Sequence, residues 1–161
     1  ILTSGGVSVG EEDHVKTAVE ALGALELWSI RMKPGKPLAF GRVGEADFLG
    51  VPGNPVSAFA TFVLFARPFV LRRMGVEQVA PPRMRVAAAF SVDRPRPRRE
   101  FLRARLRDTG EGNVAAEIFA RQGSDVLSSA AWAEGLVELP EETLVREGEA
   151  VSYLPFSGLL S

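Results

Sequence analysis

The chain has 161 residues, 46% of them apolar and 24% charged, with 19 Lys+Arg against 20 Asp+Glu for a net charge of −1. These are ordinary globular proportions, which exclude disordered, collagenous and low-complexity classes, and no contiguous apolar run approaches the ~18–20 residues of a bilayer span. The lack of Cys removes disulfides, thiolate metal sites and Cys nucleophiles, and a single His removes a His-rich zinc site.

The chain opens on Ile1-Leu2-Thr3 without Met, which reads as the end of a strand entered part-way. The loop Ser4-Gly5-Gly6-Val7-Ser8-Val9-Gly10 follows. The apolar spacing of Val15, Ala18, Val19 and Leu22 predicts a helix from about Asp13 to Leu22, stopped by Gly23. Strands are predicted over 25–32, 38–43 and 47–51. Asn54 then caps a longer helix with Pro55 at its first position. Its apolar stripe is Val56, Phe59, Ala60, Val63, Ala66 and Val70, and Pro68 is expected to kink it.

Ala80-Pro81-Pro82 reads as a linker, after which the texture becomes mainly β. Strands are predicted over 84–92, 101–107, 114–120, 135–139 and 149–154, with a short helix near 126–133. In Phe101–Arg107 the side chains Leu102, Ala104 and Leu106 fall on one face and Arg103, Arg105 and Arg107 on the other. Asp108 to Asn113 is a turn cluster between paired strands. The expected domains are therefore 1–79, α/β, and 80–161, a small β domain.

The small net charge conceals segregation. Residues 1–80 are neutral, 83–107 carry nine Arg against two acids, and 108–161 carry two Arg against ten acids. Such a basic stripe serves as a nucleic-acid footprint, a small-oxyanion site, or a face paired with the acidic tail. Nucleic acid would call for interleaved aromatics, and Phe101 alone is near the Arg94–Arg99 run. Most of the nine arginines are expected to be solvated.

Four segments invite chemistry. The Gly loop lies between a strand and a helix, where backbone approaches a ligand closely and free amides favour anions; the bland alternative is a plain Gly-rich connection. Asp13 suits an N-cap and equally a hard oxygen ligand for Mg²⁺, while His14 reads as an exposed helix residue. Lys33-Pro34-Gly35-Lys36-Pro37 stiffens a turn bearing two ammonium groups, which makes sense if an anion sits between them. Gly50-Val51-Pro52-Gly53-Asn54-Pro55-Val56-Ser57 brings Ser57 into the first helical turn, near the positive end of the macrodipole.

Taken together, Thr3 to Asp13, Lys33 to Pro37 and Gly50 to Ser57 closely resemble the molybdopterin molybdenumtransferases. These are the MoeA-type enzymes of molybdenum cofactor synthesis, related to the E domain of gephyrin. Arg98-Arg-Glu-Phe-Leu-Arg103 and Gln122-Gly-Ser-Asp-Val-Leu-Ser128 resemble the Arg- and Ser-containing segments of that family's C-terminal β domain.

The resemblance implies the C-terminal part of a three-layer, molybdopterin-binding α/β domain followed by a small β-barrel-like domain. It implies insertion of molybdate into adenylylated molybdopterin with Mg²⁺ and release of AMP. By motif, Ser4, Gly5, Gly6, Ser8, Pro52, Gly53 and Asn54 would bind the molybdopterin-AMP, and Asp13, Lys33 and Lys36 would be catalytic, with Asp13 on the metal. Molybdate would meet Lys36, Pro37 and Ser57, together with Arg98 (or Arg99) and either Ser124 or Ser128. It also implies a cytoplasmic homodimer at full length, without nucleic-acid or membrane partners. The chain is expected to be the C-terminal portion and inactive alone, so purified residues 1–161 should not turn over molybdopterin-AMP and molybdate. The rival readings are a molybdopterin adenylyltransferase, which shares the first-half fold, and a non-catalytic scaffold of the gephyrin type.

Overall fold

The computed structural model describes residues 1–7 and 14–158. The chain divides into two compact units, Ile1–Val79 and Ala80–Ser161.

The first unit is a mixed sheet with helices on both faces. Its elements are β1 (Leu2–Ser4), α1 (His14–Leu22), β2 (Gly23–Ser29), β3 (Met32–Lys33), β4 (Pro37–Val43) and β5 (Ala46–Val51), followed by one long helix. The four-stranded sheet runs β1-β5-β4-β2. β1 pairs with β5 in parallel, Thr3 opposite Gly50 and Ser4 opposite Val51, and the other pairings are antiparallel. Alternation along β4 and β5 sends Ala39 and Phe48 to one face, against Val19 and Val15 of α1. Leu38, Leu49 and Val51 face the other way, against Ala66, Ala58 and Phe69 of the long helix. The expected three layers are present.

β2 begins directly at Gly23, two residues earlier than predicted. Gly23 lies flat on β4, where any Cβ would stand 1.8 Å from the Arg42 carbonyl oxygen. The strand also ends earlier, at Ser29, and Met32–Lys33 forms a separate short strand.

The long helix is α2 (Pro55–Thr61), a π-helical turn at Phe62–Ala66, and α3 (Arg67–Arg73). Pro68 has no amide to donate, and its ring would crowd the carbonyl one turn back. The π-turn before it, with the Arg67 amide donating to the Phe62 carbonyl, is how the helix accommodates it. At 19 residues, with a window of mean hydropathy 1.3, Pro55–Arg73 has the length and composition to cross a membrane. Contiguous runs missed this, because arginines interrupt the apolar stretch. Val56, Ala60, Val63 and Ala66, along one face of this helix, are buried within the unit.

The second unit is a closed five-stranded barrel. It contains β6 (Met84–Ala88), β7 (Arg99–Gly110), β8 (Asn113–Ile118), α4 (Ser128–Trp132), β9 (Gly135–Leu139) and β10 (Ala150–Pro155). The strands run β7-β8-β6-β10-β9, and β9 pairs back onto β7. β6 stops at Ala88, short of the predicted Val92, and Val92 instead bridges Val145 alone. β7 and β8 meet in a hairpin that closes at Gly110 and Asn113, inside the predicted turn cluster. Leu102, Ala104 and Leu106 point inward, as the alternation predicts, onto Val86, Val137, Val151 and Tyr153.

Charge segregation is resolved within this barrel. Arg83 and Arg99 both pair with Glu138, Arg99 also with Glu141, and Arg105 with Glu117. The basic strand thus lies against acids from the acidic tail. Exposed pairs of this kind contribute about 0–1 kcal/mol each, so the barrel depends on its apolar interior and on the closure of its sheet.

Candidate functional site

Parallel pairing of β1 and β5 sets their carboxyl ends side by side, so the loops after them meet. The Gly5 amide donates to the Val51 carbonyl at 3.0 Å. Gly5 and Gly6 have φ of +84° and +69°, a region L side chains rarely enter. A Cβ on Gly53 would lie 3.3 Å from the Gly5 Cα, so glycine lets the two loops touch. The outcome is a cavity of about 320 Å³ lined by Gly5, Gly6, Val7, Pro37, Pro52, Gly53, Asn54 and Ser57.

Three segments far apart in sequence therefore contribute to one cavity. Asn54 acts as N-cap, its Oδ1 accepting from the Ser57 amide at 3.1 Å. That amide is committed to the cap, which leaves the Ser57 hydroxyl as the group able to meet a ligand. Ser57 is only 7% exposed, and its carbonyl accepts from Thr61 Oγ1 at 2.7 Å. Thr61, fully buried, also abuts Gly35: a Cβ there would stand 2.5 Å from Thr61 Oγ1. This contact seats the 33–37 turn against the helix. The turn is closed by the Ile30 amide on the Lys36 carbonyl at 2.9 Å, and its Lys33–Pro34 bond is cis.

Ser4, Lys33 and Lys36 are outside the cavity lining. Lys33 is half-buried and Lys36 exposed, immediately before the lining residue Pro37. Ser8 and Asp13 fall outside the described residues. Among the described residues no three His, Asp or Glu side chains gather to hold a metal. Val7, 1% exposed and shared between this lining and the core, was not singled out from sequence; nothing local marks an apolar loop residue as a wall.

On the barrel, Arg98 is half-buried at the entrance to β7, and Arg99 is exposed and paired with Glu138 and Glu141. Ser124 and Ser128 are both exposed. The residue whose burial the sequence did not reveal is Arg103. Alternation puts it on the outer face with its solvated neighbours, yet it is 2% exposed, covered by the segment that runs from β8 to α4. Its Nε donates to Ser129 Oγ and its Nη2 to the Gly123 carbonyl, both at 2.9 Å. Burial lowers the pKa of this guanidinium, while Glu100 and Asp125 act to raise it; an arginine remains charged throughout the physiological range. Only the path of residues 119–129, invisible in strand periodicity, could have revealed the cluster.

Comparison with known proteins agrees with both units. Residues 1–72 match the family described as "Probable molybdopterin binding domain". Residues 85–156 match "MoeA C-terminal region (domain IV)". The chain matches the MoeA family over its C-terminal half and a molybdopterin-binding family over its N-terminal half. It is 36% identical over 162 residues to the molybdopterin molybdenumtransferase of Haemophilus influenzae, which covers 99% of this chain and 40% of that protein. It is 35% identical to molybdopterin molybdenumtransferase 2 of Mycobacterium tuberculosis, over 89% of this chain and 36% of that one. The crystal structure of the molybdopterin biosynthesis MoeA protein from Pyrococcus horikoshii superposes with a TM-score of 0.72 at 27% identity, over 96% of this chain and 36% of that one. The chain thus spans about two fifths or less of the length of these relatives.

Proposed function

We propose that this chain carries the substrate-binding part of a molybdenumtransferase, an enzyme that inserts molybdate into adenylylated molybdopterin and releases AMP. The observation that carries the reading is the cavity at the strand ends, whose lining is drawn from the Gly loop, the 33–37 turn and the 50–57 segment at once. Gly5, Gly6, Pro52, Gly53 and Asn54 supply a backbone surface for the molybdopterin-AMP, and Ser4 and Ser8 join them as candidates by motif alone. Ser57, Pro37 and Lys36 face the oxyanion, and Lys33 and Asp13 complete the charged set. On the barrel, Arg98 (or Arg99) and either Ser124 or Ser128 are the anion-facing candidates.

The chemistry asked of these groups is charge neutralisation and positioning. Two anions repel each other in water, and fixed cations and hydroxyls hold them together at little further reorganisation. The reading entails a cytoplasmic homodimer at full length. The domain assignment, 1–79 for molybdopterin binding and 80–161 as a small β domain, belongs to the same proposal. The match of residues 85–156 to the MoeA C-terminal region favours this over an adenylyltransferase that shares only the α/β fold.

The test is molybdate-dependent release of AMP from molybdopterin-AMP by the protein at its full length. Ser57→Ala and Lys36→Ala should each lower kcat/KM for molybdate by about 10- to 10²-fold, the scale of one lost hydrogen bond to a charged group. Unchanged kcat/KM in both variants would overturn the reading.

A further inference from the structure

Between the end of β8 and the start of α4 the chain does not form a strand, yet it stays bonded to the wall of β7. Residues 100–104 of β7 pair with β9 on one edge. On the other edge β8 reaches only as far as Ala104. There the Gln122 side chain takes the place of a strand: its Oε1 accepts from the Arg103 amide, and its Nε2 donates to the Arg103 carbonyl, both at 2.9 Å. The same Nε2 also donates to the Phe119 carbonyl, and the Phe119 amide donates to the Arg103 carbonyl.

The Arg103 side chain grips the next stretch. Its guanidinium holds the Gly123 carbonyl and Ser129 Oγ together, and Ser129 Oγ in turn donates to the Val126 carbonyl at 2.5 Å. Ser129 is fully buried. Gly123, Val126 and Ser129 are thus tied to one planar, permanently charged fork. The residues between the ties, Ser124 and Asp125, are exposed.

We propose that Arg103, Gln122 and Ser129 form a positioning device that fixes the Gly123–Val126 turn on the barrel wall and so sets where Ser124 is presented. The inference rests on the proposed function with Ser124, of the two candidate serines, as the one that faces the oxyanion. An exposed serine on a loose turn samples many positions, and displacement of about 1 Å can cost on the order of 10²-fold in rate. A lysine at 103 would keep the charge but lose the two-point fork.

The experiment uses the protein at its full length, with Ser129→Ala as the mild variant and Arg103→Lys as the second. Amide hydrogen exchange is followed at 123–127, with 135–139 of β9 as the check that the barrel is folded. Molybdate KM and kcat are measured for Ser124→Ala, Ser129→Ala and the double variant. We expect exchange at 123–127 to rise at least about tenfold in Ser129→Ala with β9 unchanged. Molybdate KM should rise in both single variants, and the double variant should be no worse than Ser124→Ala alone, the mark of one residue acting through the other. Unchanged exchange at 123–127 in both Ser129→Ala and Arg103→Lys, with β9 protected, would overturn the device. Additive effects on KM would overturn its action through Ser124. A loosened turn with molybdate KM unmoved by Ser124→Ala would keep the device and refute the reading of Ser124 instead.

Discussion

In the α/β unit the glycine turns and polar residues gather at strand ends, and the core is split between the two faces of an open sheet. In the barrel an apolar cluster fills a closed sheet, and ordered polar groups lie in the wall, tied by side-chain bonds. An open sheet ends in loops whose backbone can itself form a cavity, so glycine and proline carry much of its design. A closed sheet has no lateral edges, and the interior of this one is apolar. Its polar residues must be held from outside, as Gln122 and Arg103 hold theirs.

The contrast is most open to challenge in the barrel interior. Leu102, on β7 and inside the barrel's apolar cluster, should cost about 2–5 kcal/mol on truncation to Ala. Followed by denaturant melts with hydrogen exchange, the barrel should lose protection first while α1 and β4 keep theirs. Coincident loss in both units would break the comparison.

A second expectation concerns pH. Burial pushes the Tyr153 phenol up to about 12, and the Glu134 carboxylate adds to the shift, whereas an unfolded tyrosine titrates near 10. A group raised in the folded state contributes stability fully present below pH ~10. That stability is lost as pH climbs from ~10 towards 12, by up to about 3 kcal/mol. Tyr153 is the only tyrosine in the chain, so phenolate absorbance reports it without ambiguity. Tyr153→Phe should flatten the alkaline loss, and a loss of the same size in that variant would remove tyrosine as its cause.

The smallest expected effect sharpens the α/β side. At Gly35, φ is +102°, and a Cβ would meet Thr61 Oγ1 at 2.5 Å and Met32 Cε at 2.7 Å. Gly35→Ala should cost about 1–3 kcal/mol from strain and crowding, seen as faster exchange around β4 and α2 with the barrel's protection unchanged. An unaltered melt would mean that the 33–37 turn is not seated on the helix as described.

Much of the fold was legible locally. Alternation in 101–107 identified the inward face of β7, Asn54-Pro55 marked the helix start, and Ala80-Pro81-Pro82 marked the change of texture at which the two units part. The boundaries that moved did so for reasons outside any window. β2 starts at Gly23 because β4 lies against it, and β6 stops at Ala88 because the chain changes partners to reach Val145. For the site, Gly loop, proline turn and capped helix start were each readable as turn chemistry. Seven of the eight lining residues of the cavity were in those segments as candidates, and only Val7 was not.

By itself, then, the sequence determined the local conformations, because glycine, proline and asparagine act on their own backbone, and it determined which face of each strand is apolar. Tertiary structure alone decided which loops meet, since the register of β1 on β5 brings residues 5–7 and 52–57 together. It also decided that Arg103 is buried while Arg105 and Arg107 are not. A strand's period assigns a side chain to a face, but whether that face is wet depends on what the rest of the chain lays over it.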